Sequence, residues 1–167
     1  EGVMGYYDGA DGRGSAYSVA RLTDTPSVIV LDCKGMSDSM GAAIKGFLEY
    51  KDPSGVAGFI FNRLPERLVP LAKRLCEELG TAYLGYLPKT DVTIESRHLG
   101  LVTAAEISDI KERLKALGEL AEKHIDLNAM MRLSEREFPG FTALGIHSAH
   151  IGKPPVIAVA RDRRSEE

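Results

Sequence analysis

The groups in this chain that could do chemistry fall into four short polar clusters: Glu1 to Asp8, Asp32 to Lys34, Asn62-Arg63, and Pro88 to His98. Carboxylates such as Glu1 and Asp8 suit a hard cation or proton traffic. A guanidinium suits carboxylates and phosphates bidentately, and an amide such as Asn62 can donate and accept at once. Each cluster follows a strand or a probable strand position in the pattern read below. In an open parallel sheet, ligands bind beyond the carboxyl ends of the strands, so the arrangement points to a nucleotide-type site.

A phosphate loop is the expected companion, and its pattern needs glycines for close backbone approach and a lysine for charge. Gly9 to Ser15 has glycine at both outer positions but Ser15 where lysine must stand, and Gly41 to Phe47 fails in the same way. Either the protein does not hydrolyse nucleotides, or that loop lies upstream of Glu1. His124, His147 and His150 lack a persuasive ligand spacing, and Cys33 and Cys76 form neither a disulfide framework nor a metal motif. The two cysteines read as core residues, and Met130-Met131 as packing.

The positioning elements are legible in the hydrophobic pattern. Ser15 caps a short helix to Leu22. Ser27 to Leu31 is a continuous apolar run, the pattern of a strand buried on both faces. Asp38 to Tyr50 follows as a helix with Met40, Ile44, Phe47 and Leu48 on one face. Val56 to Phe61 is a second buried strand. A helix from Pro65 to Leu79 stops at Gly80, and Ala82 to Leu87 is a third strand closed by Pro88. Strand–helix–strand–helix–strand alternation predicts right-handed crossovers and a parallel sheet. From Val102 the pattern turns to a long helix, with Thr103 and Glu106 as a capping box and Ile107, Ile110, Leu114, Leu117 and Leu120 at helical spacing. His124 to Leu133 reads as a second short helix, Pro139 to Pro155 as a loop-rich stretch, and Val156 to Ala160 as a strand, either an edge strand or the first of a following domain.

At 167 residues with a net charge of −3, the chain bounds one domain with no electrostatic footprint for nucleic acid or an anionic membrane. No apolar run reaches the roughly 18 residues of a membrane span, and a reducing cytoplasm is the default location.

Five motifs, in order, carry a family likeness. Glu-Gly-Val-Met-Gly-x-x-Asp-Gly spans Glu1 to Gly9, and Val-x-Asp-x-x-Gly-Met-x-x-Ser falls at Val30, Asp32, Gly35, Met36 and Ser39. Gly58 to Arg63, Leu84 to Pro88 and Arg97 to Leu101 complete the series. Together they resemble the synthetase half of the cobyrinic acid a,c-diamide synthases, relatives of dethiobiotin synthetase. The likeness covers nearly all the chain except about Asp126 to Pro155. It implies an α/β fold of the P-loop NTPase-like, dethiobiotin synthetase-like kind, a parallel sheet with flanking helices, here lacking its N-terminal phosphate-loop part. On this reading the chain is an internal piece of a longer enzyme: 1–135 is the C-terminal part of the synthetase domain, 136–155 a linker, and 156–167 the start of a truncated glutamine amidotransferase domain.

The resemblance implies ATP- and Mg²⁺-dependent amidation of the a and c carboxylates of cobyrinate in cobalamin biosynthesis, with ammonia from glutamine and an acyl phosphate as intermediate. It gives Glu1 the Mg²⁺-ligating and catalytic position, and Asp8 a place near the reacting carboxylate through metal, substrate positioning or proton traffic. A carboxylate beside a carboxylate substrate needs a cation between them, which favours the metal-mediated version. Asn62 takes the adenine-recognising position, Arg63 a stacking or structural contact, and Pro88 the loop flanking the base. Tyr6, Asp8, Arg97 and His98 fall on the corrinoid-facing side. Sister enzymes acting on nickel sirohydrochlorin or hydrogenobyrinate, and a partitioning-type ATPase of the same superfamily, are the alternative readings. The piece alone is expected to be inactive, and self-association through an exposed sheet edge is expected of it.

Overall fold

A computed structural model of the chain describes residues 2, 4–10, 13–92 and 109–135. Its centre is a parallel three-stranded sheet in the order β1-β2-β3, with β1 at Ser27–Asp32, β2 at Val56–Asn62 and β3 at Ala82–Leu87. Between β1 and β2 runs α2 (Ser39–Glu49), and between β2 and β3 a 3₁₀ turn (Glu66–Leu68) leads into α3 (Val69–Glu78). A short α1 (Ala16–Leu22) precedes the sheet, and α4 (Ile110–His124) with α5 (Leu127–Ser134) follows it. The α/β class and the parallel sheet expected from the alternation are therefore present.

The local causes match the residues. Ser15 caps α1, its Oγ accepting the Ser18 N–H at 3.1 Å. The helix expected from Pro65 is divided: Pro65 sits before the 3₁₀ turn, and Pro70 falls in the first turn of α3, where a missing N–H costs nothing. The chain leaves α3 at Gly80, where the Thr81 N–H reaches the Cys76 carbonyl at 2.9 Å. The second short helix begins later than the pattern suggested. His124 closes α4, and α5 starts at Leu127 because Asp126 caps it through the Ala129 N–H at 2.8 Å.

α2 and α3 pack on each other and on the sheet, and the core lies between them. Phe59 and Phe61 of β2 meet Ile29, Met40, Ile44, Ala72 and Cys76, all buried. Burying such side chains is worth roughly 1.5–3 kcal/mol each, which makes this layer the main source of stability. Cys33 and Cys76 are both free and buried, as core residues.

One sequence expectation fails. β1 is not buried on both faces: Ile29 is buried, while Val30 beside it is 61% exposed. Among the described residues β1 pairs only with β2, so it is an edge strand here, and an apolar run does not reveal which strand of a sheet is the edge. The expected helix start at Val102 to Ile107, the linker 136–155 and the segment 156–167 lie outside the described residues. Among the described residues, no helix is long and apolar enough to cross a membrane.

Beyond β3 the chain returns to the sheet. Ile125 makes an antiparallel bridge to Gly85, and the Asp126 N–H donates to the Leu84 carbonyl at 2.8 Å. Gly85 has φ +134, and a β-carbon there would stand 2.4 Å from the His124 carbonyl oxygen. Only glycine admits that approach.

Candidate functional site

Three of the four polar clusters meet at one edge of the sheet, at least in part. The last residues of the strands are in register, Asp32 beside Asn62 and Asn62 beside Leu87, with Pro88 next in the chain. Paired residues of neighbouring strands project to the same face. Backbone hydrogen bonds join these ends: the Cys33 N–H donates to the Asn62 carbonyl at 2.8 Å, and the Leu64 N–H to the Leu87 carbonyl at 3.1 Å. Three separate turns are thereby locked side by side at the carboxyl edge.

Arg63 sits in the left-handed region at φ +57. A non-glycine residue there costs on the order of 1–2 kcal/mol. Its guanidinium forks onto Asp32, Nε to Oδ1 at 2.6 Å and Nη2 to Oδ2. The Lys34 N–H also reaches Asp32 Oδ1, at 3.3 Å. The hydrogen bond from Arg63 holds the Asp32 carboxyl below the usual carboxylate range, and the same bond raises the guanidinium further. Both side chains are about half exposed, 51% and 43%, so the pair fixes orientation more than it stabilises the fold.

The Asn62 carboxamide is half-buried and has no hydrogen-bond partner among the described residues. An amide free to donate and accept, set beside a clamped guanidinium, can read a flat ring with a donor–acceptor edge. The edge of Arg63 facing Asp32 is occupied, which leaves its flat faces for stacking. Pro88 ends β3 without an N–H to offer.

The first cluster is built differently. The Asp8 carboxylate accepts the Gly5 N–H at 2.9 Å while the Asp8 N–H donates to the Gly5 carbonyl at 3.0 Å, closing a tight turn. A β-carbon on Gly5 would lie 2.6 Å from Asp8 Oδ2, so a larger residue there would push that carboxylate aside. One carboxylate oxygen of Asp8 is thus committed to its own loop. The Tyr6 hydroxyl donates to the Ser54 carbonyl at 2.8 Å and the Tyr7 hydroxyl to the Phe47 carbonyl at 2.6 Å. Ser54 lies just before β2, at the opposite end of the strand from Asn62. The seven residues of β2 span roughly 20 Å at about 3.3 Å each. The structure therefore uses the hydroxyl of Tyr6 as an anchor and does not bring it to the strand-end row. Tyr6, Tyr7, Tyr17 and Tyr50 form an aromatic cluster, with Lys51 Nζ 5.1 Å from the Tyr17 ring centroid.

Glu1, Arg97 and His98 lie outside the described residues. Among the described residues, no three His, Cys, Asp or Glu side chains come together as a metal site. In the sequence alone Asp32 stands out only as part of a motif and a polar cluster. Its signal was its charge at a strand end, one strand away from Arg63.

Fold and edge together define an α/β protein whose polar groups gather where parallel sheets bind ligands. No family model matches the chain, and no solved structure matches it. It is 38% identical over 173 aligned positions to the hydrogenobyrinate a,c-diamide synthase of Brucella anthropi, covering 97% of this chain and 38% of that protein. It is 36% identical to the enzyme of that name from Rhodobacter capsulatus, covering 97% of this chain and 38% of the relative. To the cobyrinate a,c-diamide synthase of Saccharolobus solfataricus it is 34% identical, covering 82% and 32%. The chain thus spans about a third of the length of these curated relatives. Over that span its curated homologues are hydrogenobyrinate and cobyrinate a,c-diamide synthases.

Proposed function

We propose that the chain is part of the synthetase half of an a,c-diamide synthase, contributing the edge that holds the nucleotide base. The carrying observation is the strand-end row, where a partnerless Asn62 carboxamide stands beside an Arg63 fixed by Asp32. The names of its relatives support the amidation of two carboxylates on a corrinoid, and a dethiobiotin synthetase-like fold accords with the parallel sheet.

In the proposed reaction, a substrate carboxylate oxygen attacks the γ-phosphorus of ATP, which enters with Mg²⁺ as substrate, and ADP leaves. Ammonia from glutamine then attacks the acyl carbon, the carbon–oxygen bond to phosphate breaks so that inorganic phosphate leaves, and the nitrogen gives up one proton to become the amide. ATP is needed because a carboxylate is a poor acyl donor, and the site must exclude water from the acyl phosphate. Asn62 would accept from the exocyclic amine of adenine and donate to its neighbouring ring nitrogen. Arg63 would lie against the ring, and Pro88 would flank it. Asp8, with one oxygen outside its turn, Tyr6, Arg97 and His98 belong to the corrinoid side of the proposal, and Glu1 to the Mg²⁺ and catalytic position. The glutaminase is proposed to begin at 156–167.

Two relatives that align with 97% of this chain are named for hydrogenobyrinate, which favours the cobalt-free substrate as a second reading. Mass spectrometry on the full-length protein carrying this sequence, given Mg-ATP, glutamine and either corrinoid, tests both. Two successive exchanges of carboxylate for carboxamide are expected, and the preferred corrinoid decides between them. No amidation of either compound would sink the proposal.

A further inference from the structure

We propose that Asp32 is a positioning residue for the nucleotide base, holding Arg63 so that the end of β2 presents the Asn62 carboxamide; this rests on the reading of Asn62 given above. Asp32 and Asn62 are register partners at the ends of β1 and β2, so both project to one face. The backbone on either side of Arg63 is already fixed, by the Cys33 N–H on the Asn62 carbonyl and the Leu64 N–H on the Leu87 carbonyl. What remains free is the direction of the Arg63 side chain. Among the described residues its only partner is Asp32, which uses both carboxylate oxygens on it.

The pair is exposed, and exposed ion pairs add little to stability. A left-handed arginine subtracts from it. Folding energy therefore does not account for the arrangement, whereas orientation does. With the guanidinium clamped over the end of β1, it cannot swing across the neighbouring amide, and the donor–acceptor edge of Asn62 stays open to a ring. Without Asp32, the long Arg63 side chain is released, and its donors can reach the Asn62 amide oxygen that the base amine needs.

The test uses the full-length protein and compares ATP with purine riboside triphosphate, which lacks the exocyclic amine of the base edge and leaves the ring and phosphates unchanged. Asn62→Ala and Asp32→Ala are each expected to raise KM for ATP about tenfold and to draw the ratio of kcat/KM for ATP over purine riboside triphosphate toward one, with kcat held within about twofold. The double variant should lose no more base selectivity than Asn62→Ala, because Asp32 acts on selectivity through that amide. Asp32→Asn, which keeps the shape and loses the charge, should fall between wild type and Asp32→Ala, and it carries the same comparison if the alanine variant does not fold. Loss of base selectivity in Asn62→Ala with full selectivity in both Asp32 variants would overturn the proposal and leave the Asn62 reading standing. Equal weakening of both nucleotides by the Asp32 variants would also overturn it, since that is the mark of a general structural role. Unchanged selectivity in Asn62→Ala would sink the Asn62 reading and this inference with it.

Discussion

At the scale of residues, the carboxyl edge contains one group poised by a partner and one held silent by burial. The poised group is Asp32, whose carboxyl lies below its ordinary value near 3.8 chiefly because of the Arg63 hydrogen bond. A carboxylate lowered in the folded state contributes stability above its unfolded value, and that contribution fades as pH falls through the lower folded value. The denaturation midpoint of wild type should therefore exceed that of Asp32→Asn by a small, constant margin above about pH 5, closing below about pH 4. A margin unchanged down to the acid limit would show that the charge of Asp32 is not what Arg63 uses. The silent group is Cys33, next in sequence, whose thiol is pushed up to about 11 by burial and then by the charge of Asp32. Burial alone lifts Cys76 to about 11 as well. Against an ordinary thiol near 8.5, the thiolate fraction falls by about two orders of magnitude. Alkylation at mildly alkaline pH should accordingly be at least about a hundredfold slower in the native protein than in denaturant. Rapid labelling of either cysteine would contradict the burial described here.

At the scale of elements, the return of the chain onto β3 depends on one position. Gly85 combines φ +134 with a space already filled by the His124 carbonyl and Ile125. Alanine there meets both a forbidden backbone region and a steric overlap, so Gly85→Ala should cost about 2–4 kcal/mol, read as a lowered denaturant midpoint. The displaced contact would be the bridge to Ile125 rather than the β1–β2 ladder, so amide exchange should rise first at Asp126. A variant as stable as wild type would mean that the segment after α4 does not rest on β3 in solution. The strands and helices themselves were readable because each carries its own period: Met40 and Ile44 on α2, Ala72 and Cys76 on α3, and unbroken apolar runs for β2 and β3. The edge position of β1 was not readable, since Ser27 to Leu31 has the composition of a central strand and edge status depends on which strands pair. The late start of α5 was hidden for a smaller reason: the cap at Asp126 is a local hydrogen bond competing with an apolar pattern that continues through it.

At the scale of the whole molecule, the candidate site was legible in parts and not as an assembly. Asn62, Arg63 and Pro88 announced themselves by standing at strand ends, and the register confirms that they are neighbours. The Asp32–Arg63 pair needed the register of β1 against β2, which no single segment encodes. The destination of the Tyr6 hydroxyl was still further from view, because Ser54 is far along the chain and the contact exists only once the first loop and the turn before β2 have come together. The chain has six tyrosines and no tryptophan, and four of those tyrosines, Tyr6, Tyr7, Tyr17 and Tyr50, share one cluster at the docking of the first loop. The near-ultraviolet optical signature of this protein is consequently weighted toward a single place. It reports whether that loop is seated, and most of it can fade while the sheet and its core, with Tyr83 and Tyr86, remain intact.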